Sequence, residues 1–423
     1  MAELVHGSLP CGIEYGLTRL PDRHVVAFQI RILSGVANEP TSLLGLARVL
    51  EETFDKGTET KTGRELADAF DAIGASISSG VGRETTTFTC TTLPEHFEQA
   101  VALHAEMLRT PTFPRDAVEV NINLAEQEFA GLEDDPQGLV DKRISKMAYG
   151  PILGRHALGE LEAVKRLTRG DLESHWRSYY HAGRMLVSVA GNQSPAQVED
   201  VFERHFSGFG SSDRAGRAAW EVAFSPETAH QPKELEQEHI AIAWPGVDVT
   251  HEAFSVQQVA LAILSGGMSA RLFTEVREKL ALVYWVSAWQ ETPRDAGMIF
   301  LGASTTPKRC AQTYEVLLRE VDRLAEDIEQ EELDRAITGL VAQRETRGES
   351  TRARCSEMVG DLFFYGHPRP QEEKIAKIKA VTVDDVRSYL KEYPRDPRCV
   401  VTLGPCALDG SPGVVSPTGA TNG

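Results

Sequence analysis

The two halves of this sequence resemble each other in their order of helix, turn and strand, and that constrains the fold more than any other feature. "LTRGDLESHWRSYYHAGRMLVSVAGN" (167–192) and "VTVDDVRSYLKEYPRDPRCVVTLGP" (381–405) both read as a helix, a tyrosine-bearing turn and a strand ending at glycine. "GRETTTFTCTTLPEHFEQAVALHAEML" (82–108) and "PRDAGMIFLGASTTPKRCAQTYEVLLREV" (293–321) both read as strand, turn and amphipathic helix. A sequence built twice is expected to fold as two copies of one α/β plan, each of roughly 200 residues, an ordinary domain size. Between them "FGSSDRAGRAAWEVAFSPETAHQPK" (209–233), rich in Gly, Ser, Pro and Ala, reads as an interdomain linker. The expected divisions are 1–208, the linker 209–233, 234–408, and a disordered tail 409–423, "GSPGVVSPTGATNG" with the aspartate before it.

Within each copy the periodicities alternate between two and three-to-four residues. "HVVAFQIRIL" (24–33) and "ETTTFTCTTL" (84–93) predict strands. "KTGRELADAFDAIGA" predicts a helix opened by a Thr62/Glu65 capping box, with Leu66, Phe70 and Ile73 as its buried stripe and Gly74 just past its end. The region of His104 and Met107 reads as core. His175 and His181 stand six residues apart, on different faces of a helix, which argues against a shared metal. "SGGMSAR" lacks the lysine of a phosphate-binding loop.

Composition excludes several functions. A formal net charge of −18 argues against nucleic acid and anionic membranes as partners and leaves basic or neutral peptides compatible. The six cysteines show no C-x-x-C spacing and are expected to be reduced core thiols. No run of 18 apolar residues occurs and the N-terminal stretch lacks a secretory pattern, so the expected address is the cytoplasm.

The chemistry concentrates in "TSLLGLARVLEETFDKGTETKT" (41–62). Two histidines at i and i+4 of a helix face one way and can share a Zn²⁺ ion, with a glutamate between them acting as general base; that is the H-x-x-E-H arrangement. In this chain the frame holds Arg48, Glu51 and Glu52. The segment closely resembles the first helix of the insulinase, pitrilysin and mitochondrial processing peptidase family, the inverted zincins, in which "G-L-A-H-x-L-E-H" precedes a phenylalanine and "K-G-T". Gly45, Leu46, Ala47, Leu50, Glu51, Phe54, Lys56, Gly57 and Thr58 match that pattern. The resemblance assigns the third zinc ligand to Glu128, 76 residues after Glu52 and eight before Pro136.

A guanidinium stays protonated and cannot ligate a metal, and Glu51, Glu52 and Glu128 form an all-oxygen set poorly suited to zinc. No metal is therefore expected in this chain. Arg48 and Glu52 have the spacing of a helix-face ion pair, and Arg48 can also reach Glu128, which would place the guanidinium at the vacated metal position. The alternative is that Arg48 and Glu52 are solvated surface charges. Without a metal-bound water, Glu51 has no evident chemical task.

The second half carries "LSGGMSARLFTEVREKLALVYWVSA" (264–288), which resembles the family's "GGGMSSRLFxEIREKxGLAYSV". There an arginine and a tyrosine, seven residues apart, reach the scissile peptide; they map onto Arg277 and Tyr284. Two helical turns of separation would set both on one face, as donors for a substrate carbonyl and its developing oxyanion. Two simpler assignments stay open, with Arg277 paired to a neighbouring glutamate and Tyr284 opening a strand. Ala281 and Trp285 stand where the family has glycine and a small polar residue.

Over roughly residues 8 to 406 the resemblance implies an α+β fold of two homologous domains, each a mostly antiparallel sheet flanked by helices, the processing-peptidase/LuxS-like metallohydrolase fold closing as a clamshell. It further implies the zinc-less subunit of a heterodimeric metalloendopeptidase, inactive alone. A homologous partner would supply zinc, and peptide would pair with an exposed strand edge. The rival assignments are a proteolytically inactive structural subunit, like the family's core proteins of a respiratory complex, and a homodimeric peptide binder.

Overall fold

The computed structural model describes residues 3–408 except 214, 215 and 217. The tail at 409–423 lies outside the described residues. The chain packs as two compact α+β units, each built on one sheet.

The first sheet contains β1 (Glu3–Ser8), β2 (Glu14–Arg19), β3 (Val26–Ile32), β4 (Ser76–Val81), β5 (Thr86–Thr92) and β6 (Met185–Gly191) in the order β1-β2-β6-β3-β5-β4. The second contains β7 (Thr228–Pro232), β8 (Glu238–Gly246), β9 (Val283–Glu291), β10 (Gly297–Thr305) and β11 (Cys399–Gly404) in the order β7-β11-β8-β10-β9. Taking β2 to β6 as the counterparts of β7 to β11, both sheets have the same order. Each also holds one parallel pair, β2 with β6 and β7 with β11, among antiparallel neighbours. The duplication read from sequence is thus a duplication of topology, with β1 an addition to the first copy.

The expected local signals are present. Both predicted strands form, as β3 and β5. The helix Gly63–Ala72 opens on the reciprocal Thr62/Glu65 box, buries Leu66 and Phe70, and is followed by Gly74 at φ +58. Thr168 with Asp171 and Thr382 with Asp385 form the same box at equivalent places in the two copies. Each satisfies orphan N–H groups at a helix start. His104 and Met107 are core residues, and of the six cysteines five are buried while Cys406 is half-buried. Among the described residues no helix is long and apolar enough to cross a membrane.

Two expectations change. The region 209–233 is not wholly a connector: its last residues form β7, hydrogen-bonded to β11 and filling an edge of the second sheet. Backbone demand for ladder partners outweighs a Pro- and Gly-rich composition there. The compact units also do not follow the divisions 1–208 and 234–408. The first comprises 1–131, 155–220 and 344–373, and the second 132–154, 221–343 and 374–423.

The physical reason is that each sheet has apolar residues on both faces. On one face of the first sheet Phe28 and Ile30 pack with Phe97, Val101 and Phe202. On the other, small residues leave a bed for the helix Thr351–Tyr365, which packs on β2, β3 and β6. There Cys355 meets Ala27 and Ala190, while Met358, Val359 and Leu362 meet Leu33 and Leu186. Gly16 is part of this bed, since a Cβ there would fall 2.5 Å from Met358 Sδ and 3.2 Å from Leu362 Cδ1. In the second unit the helix Pro136–Leu153 takes the corresponding place on β8 and β11.

Gly16→Val is expected to destabilise the chain by about 1–3 kcal/mol through overpacking against Met358. Denaturant unfolding monitored by circular dichroism checks this, and an unchanged midpoint would show that the helix does not depend on that bed.

Candidate functional site

The site begins at a glycine. Gly45 precedes the helix Leu46–Glu51 with φ +101, and a Cβ there would lie 2.6 Å from the carbonyl oxygen of Leu158. Only glycine combines that backbone with that approach. No side chain of Gly45 can cap the helix, so the buried Glu39 does so from outside, accepting from the N–H groups of Gly45 at 3.1 Å and Ala47 at 2.7 Å. Burial pushes the Glu39 carboxyl up to about 7, against the pull of those two bonds and of Arg155. Leu46, Ala47, Val49 and Leu50 are buried, which leaves Arg48 and Glu52 on the open face.

A second helix, Arg115–Glu133, is latched alongside by Asn121, whose amide donates to the Glu52 carbonyl and to Thr53 Oγ1, both at 2.9 Å. Glu128 lies two turns beyond Asn121 on the same helix face, and the latch brings it to Arg48. Arg48 Nη1 is 2.6 Å from Glu52 Oε1 and 3.2 Å from Glu51 Oε2, and Nη2 is 3.0 Å from Glu128 Oε1. One guanidinium therefore bridges all three carboxylates that the sequence singled out. Glu51 is nearly fully buried, and Arg48 is 28% exposed, which sets it apart from a freely solvated surface charge.

The electrostatics follow from that placement. Burial works to lower the Arg48 pKa, but its contacts with Glu128, Glu52 and Glu51 outweigh it and raise the value above normal. Burial holds the Glu51 carboxyl above the usual range, aided by Glu52 and Asp55 and opposed by Arg48 and by a hydrogen bond from Ser79. Ser79 belongs to β4, which pairs with β5 alone and forms an edge of the first sheet. A cavity of about 310 Å³ opens beside Arg48, Glu52, Leu124 and Glu128.

In the second unit Arg277 and Tyr284 are both exposed, Tyr284 by 64%. Their seven-residue spacing does not place them on one helix face. Leu272–Lys279 is a π-helix, the chain turns out of it through Ala281 at φ +49, and Tyr284 sits on β9, the edge strand of the second sheet. The left-handed backbone at Ala281 explains a glycine preference at this position, and Arg309 steadies it by donating to the Ala281 carbonyl at 2.7 Å. Among the described residues Arg277 forms no ion pair with a glutamate; its guanidinium lies 5.0 Å from the centre of the Phe273 ring.

Sequence reasoning missed Arg271, the anchor of this segment. It is buried and bonds Glu332 through Nε at 2.8 Å and Nη2 at 2.7 Å, and Asp327 through Nη1 at 2.6 Å. Asn121 was missed as well. The only available signal was a polar residue in an otherwise apolar helix stripe. His175 and His181 go to separate partners, Ser34 Oγ at 3.2 Å and the Ser211 carbonyl at 3.1 Å.

Residues 17–160 match the family model described as insulinase (peptidase family M16), and residues 166–340 match the one described as peptidase M16 inactive domain. The chain belongs to peptidase family M16. The uncharacterized zinc protease YmxG of Bacillus subtilis is 28% identical over 93% of this chain and 96% of its own length. An uncharacterized zinc protease of Mycobacterium tuberculosis is also 28% identical, over 94% and 92%. Among solved structures, the peptidase M16 inactive domain from Pseudomonas fluorescens superposes with a TM-score of 0.87 at 20% identity, covering 96% of this chain and 99% of that one. A protease from Helicobacter pylori superposes at 0.86 and 18%, covering 95% and 100%. These structures establish the two-domain M16 fold.

M16 enzymes are metallopeptidases, yet the donors present here do not fit zinc. The central group is a permanent cation, Arg48 and Glu52 stand at the two histidine positions of the motif, and all three carboxylates are already engaged with Arg48.

Two outcomes are expected. Arg48→Ala should lower stability by about 1–2 kcal/mol by stranding the buried Glu51 charge. Because the folded chain holds a proton on Glu51 more readily than the unfolded chain, its contribution is greatest at low pH and is lost as pH rises through the elevated folded value. The deficit should therefore grow from mildly acidic to alkaline pH in thermal melts, and a shift near zero at every pH would remove the ion cluster as a structural element. Arg48→His/Glu52→His should bind stoichiometric zinc, with Glu128 as third ligand, in calorimetric titrations that show none for the parent chain. Failure to bind would mean that the cluster's geometry is unlike a metal site.

Proposed function

We propose that this chain is the zinc-less subunit of a two-subunit M16 metalloendopeptidase, inactive alone, which acts on peptides or unfolded segments together with a homologous zinc-bearing partner. The observation that carries the proposal is Arg48, whose guanidinium takes the central place among three carboxylates where the family's resemblance puts a metal. A chain that had simply lost its histidines would leave Glu51 and Glu128 repelling each other across an empty frame. Here one guanidinium contacts both and offsets part of their charge, and the helix that would carry the ligands is kept.

The chain's own contribution would be binding and oxyanion stabilisation by Arg277 and Tyr284. Arg277 has no ion pair among the described residues and Tyr284 projects from an edge strand, so both are available to a substrate. A guanidinium and a phenol donate to a carbonyl oxygen, and they act on rate when aimed at the oxygen's developing charge. The open backbone of an edge strand supports pairing with an extended peptide of almost any sequence.

Affinity purification of the full chain from its native cells tests this. A chain of similar size with an intact H-x-x-E-H helix is expected in equal amount, with peptide cleavage only when both are present. Arg277→Ala and Tyr284→Phe should each lower kcat by about 10²-fold or more while the complex stays intact. Unchanged cleavage in both variants, or recovery only of like chains or of a large non-protease assembly, would overturn the catalytic role and favour a scaffold or a peptide binder.

A further inference from the structure

The face of the first sheet that beds the helix Thr351–Tyr365 also carries a guanidinium without a counter-charge. Arg31 projects from β3 on the side of Ala27 and Gln29, opposite to Phe28 and Ile30. Half-buried there, it makes no hydrogen bond and no ion pair among the described residues, and its Nε is buried without a partner. The guanidinium lies 5.6 Å from the centre of the Phe363 ring, an aromatic face that orients a cation without neutralising it. Burial pulls the Arg31 pKa down to about 10, and the Cys355 thiol opposes that pull. The thiol is itself pushed up to about 12 by burial, so it stays protonated and supplies no negative charge.

The surroundings of Arg31 are polar and partly open. Strand register sets three rows across this face: Ala27 with Thr91 and Ser76, Gln29 with Thr89 and Ser78, and Arg31 with Thr87 and Gly80. Gln29 donates from Nε2 to Thr89 Oγ1 at 2.9 Å, whereas its own buried Oε1 and Thr91 Oγ1 have no partner. Buried polar atoms of this kind are few in a folded protein, and with Arg31 Nε three of them share one sheet face. The helix Thr351–Tyr365 packs on β2, β3 and β6, and from its first turn the exposed Arg352 reaches across to Ser78 Oγ on β4. A second guanidinium therefore stands on the same face. At the end of the Arg31 row a Cβ on Gly80 would meet nothing within 4 Å, so the floor beyond Thr87 is open. An uncompensated cation in a half-buried place is costly, and in a chain of net charge −18 two guanidinium groups on one face mark where a carboxylate from outside would be held.

We propose that this face binds the C-terminal carboxylate of a polypeptide, with Arg31 as its principal cation, Arg352 as the second, and Gln29 Oε1 accepting from the N–H of the last residue. The choice of a polypeptide as the source rests on the peptide-binding reading above. β4 is the edge of this sheet, so an extended chain can pair with it and end over Gly80. A chain end offers its carboxylate and N–H one carbon apart, whereas the carboxylate of an acidic side chain hangs on a flexible stem. The strongly negative net charge also disfavours segments rich in Asp and Glu, but not a neutral or basic segment with a free end. The site would make this chain select the ends of peptides over internal segments.

The test is calorimetric titration of the full chain with two neutral peptides of one sequence, one ending in a free carboxylate and the other in a carboxamide. A third peptide is amidated and carries one internal glutamate. The free-ended peptide is expected to bind about tenfold more tightly than the amidated one, or better. Arg31→Gln should erase the difference and Arg352→Gln, at an exposed position, should reduce it. Removing an uncompensated cation should leave the melting temperature of Arg31→Gln no lower than that of the parent, which separates lost binding from lost folding. Equal affinity for the free-ended and amidated peptides, no binding of either, or a preference that survives Arg31→Gln would each overturn the proposal. Binding of the glutamate peptide as tightly as the free-ended one would overturn the chain end as the source of the carboxylate. Partner-dependent cleavage is measured separately. If cleavage persists while the free-end preference is absent, only this inference fails; if the preference is present without any cleaving partner, only the subunit reading fails.

Discussion

A sheet with apolar residues on both faces has to be covered twice, and most of this architecture follows from meeting that requirement in both copies of a duplicated unit. One cover comes from helices close in sequence to the strands. The other comes from a helix distant in sequence: Thr351–Tyr365 in the first unit and Pro136–Leu153 in the second. The chain segments are thereby interleaved, and neither half of the sequence contains a complete core. Small residues such as Gly16, Ala27 and Ala190 set where the distant helix lies, because the sheet can be approached closely only there.

Within that frame the candidate site is an exercise in charge compensation. Glu51 is held nearly out of water by the packing of its own helix, and a buried carboxylate needs a counter-charge or a proton. A metal centre would supply the charge as a divalent ion, whereas this chain supplies it as the Arg48 guanidinium, whose planar fork reaches several carboxylates at once. The substitution keeps the fold and removes the Lewis acid. The second unit solves a related problem with Arg271, which ties the start of the π-helix to Asp327 and Glu332 and so fixes the segment that ends in Tyr284. Uncommon backbone at Leu272–Lys279 and Ala281 is concentrated around Arg277 and Tyr284, the pair proposed to bind substrate, and π-turns often occur at functional sites.

The sequence by itself determined the duplication, the strands β3 and β5, the capping box at Thr62, and the frame of Arg48, Glu51, Glu52 and Glu128. These are local in origin: a two- or four-residue period, a cap three residues from its partner, or an ion pair one turn apart can be read along the chain because the interacting groups are close along it. Tertiary structure alone decided that Leu132–Gly154 and Arg344–Glu373 would each serve the other copy's sheet, and that Thr228–Pro232 would leave its connector role to become β7. It alone decided, too, that Asn121 would latch two helices to complete the Arg48 cluster, and that Arg277 and Tyr284 would be carried by a π-helix and a strand. Each of these depends on a partner far away in sequence, whose surface is created only when the sheet and its covers pack, so no period or spacing along the chain could announce it.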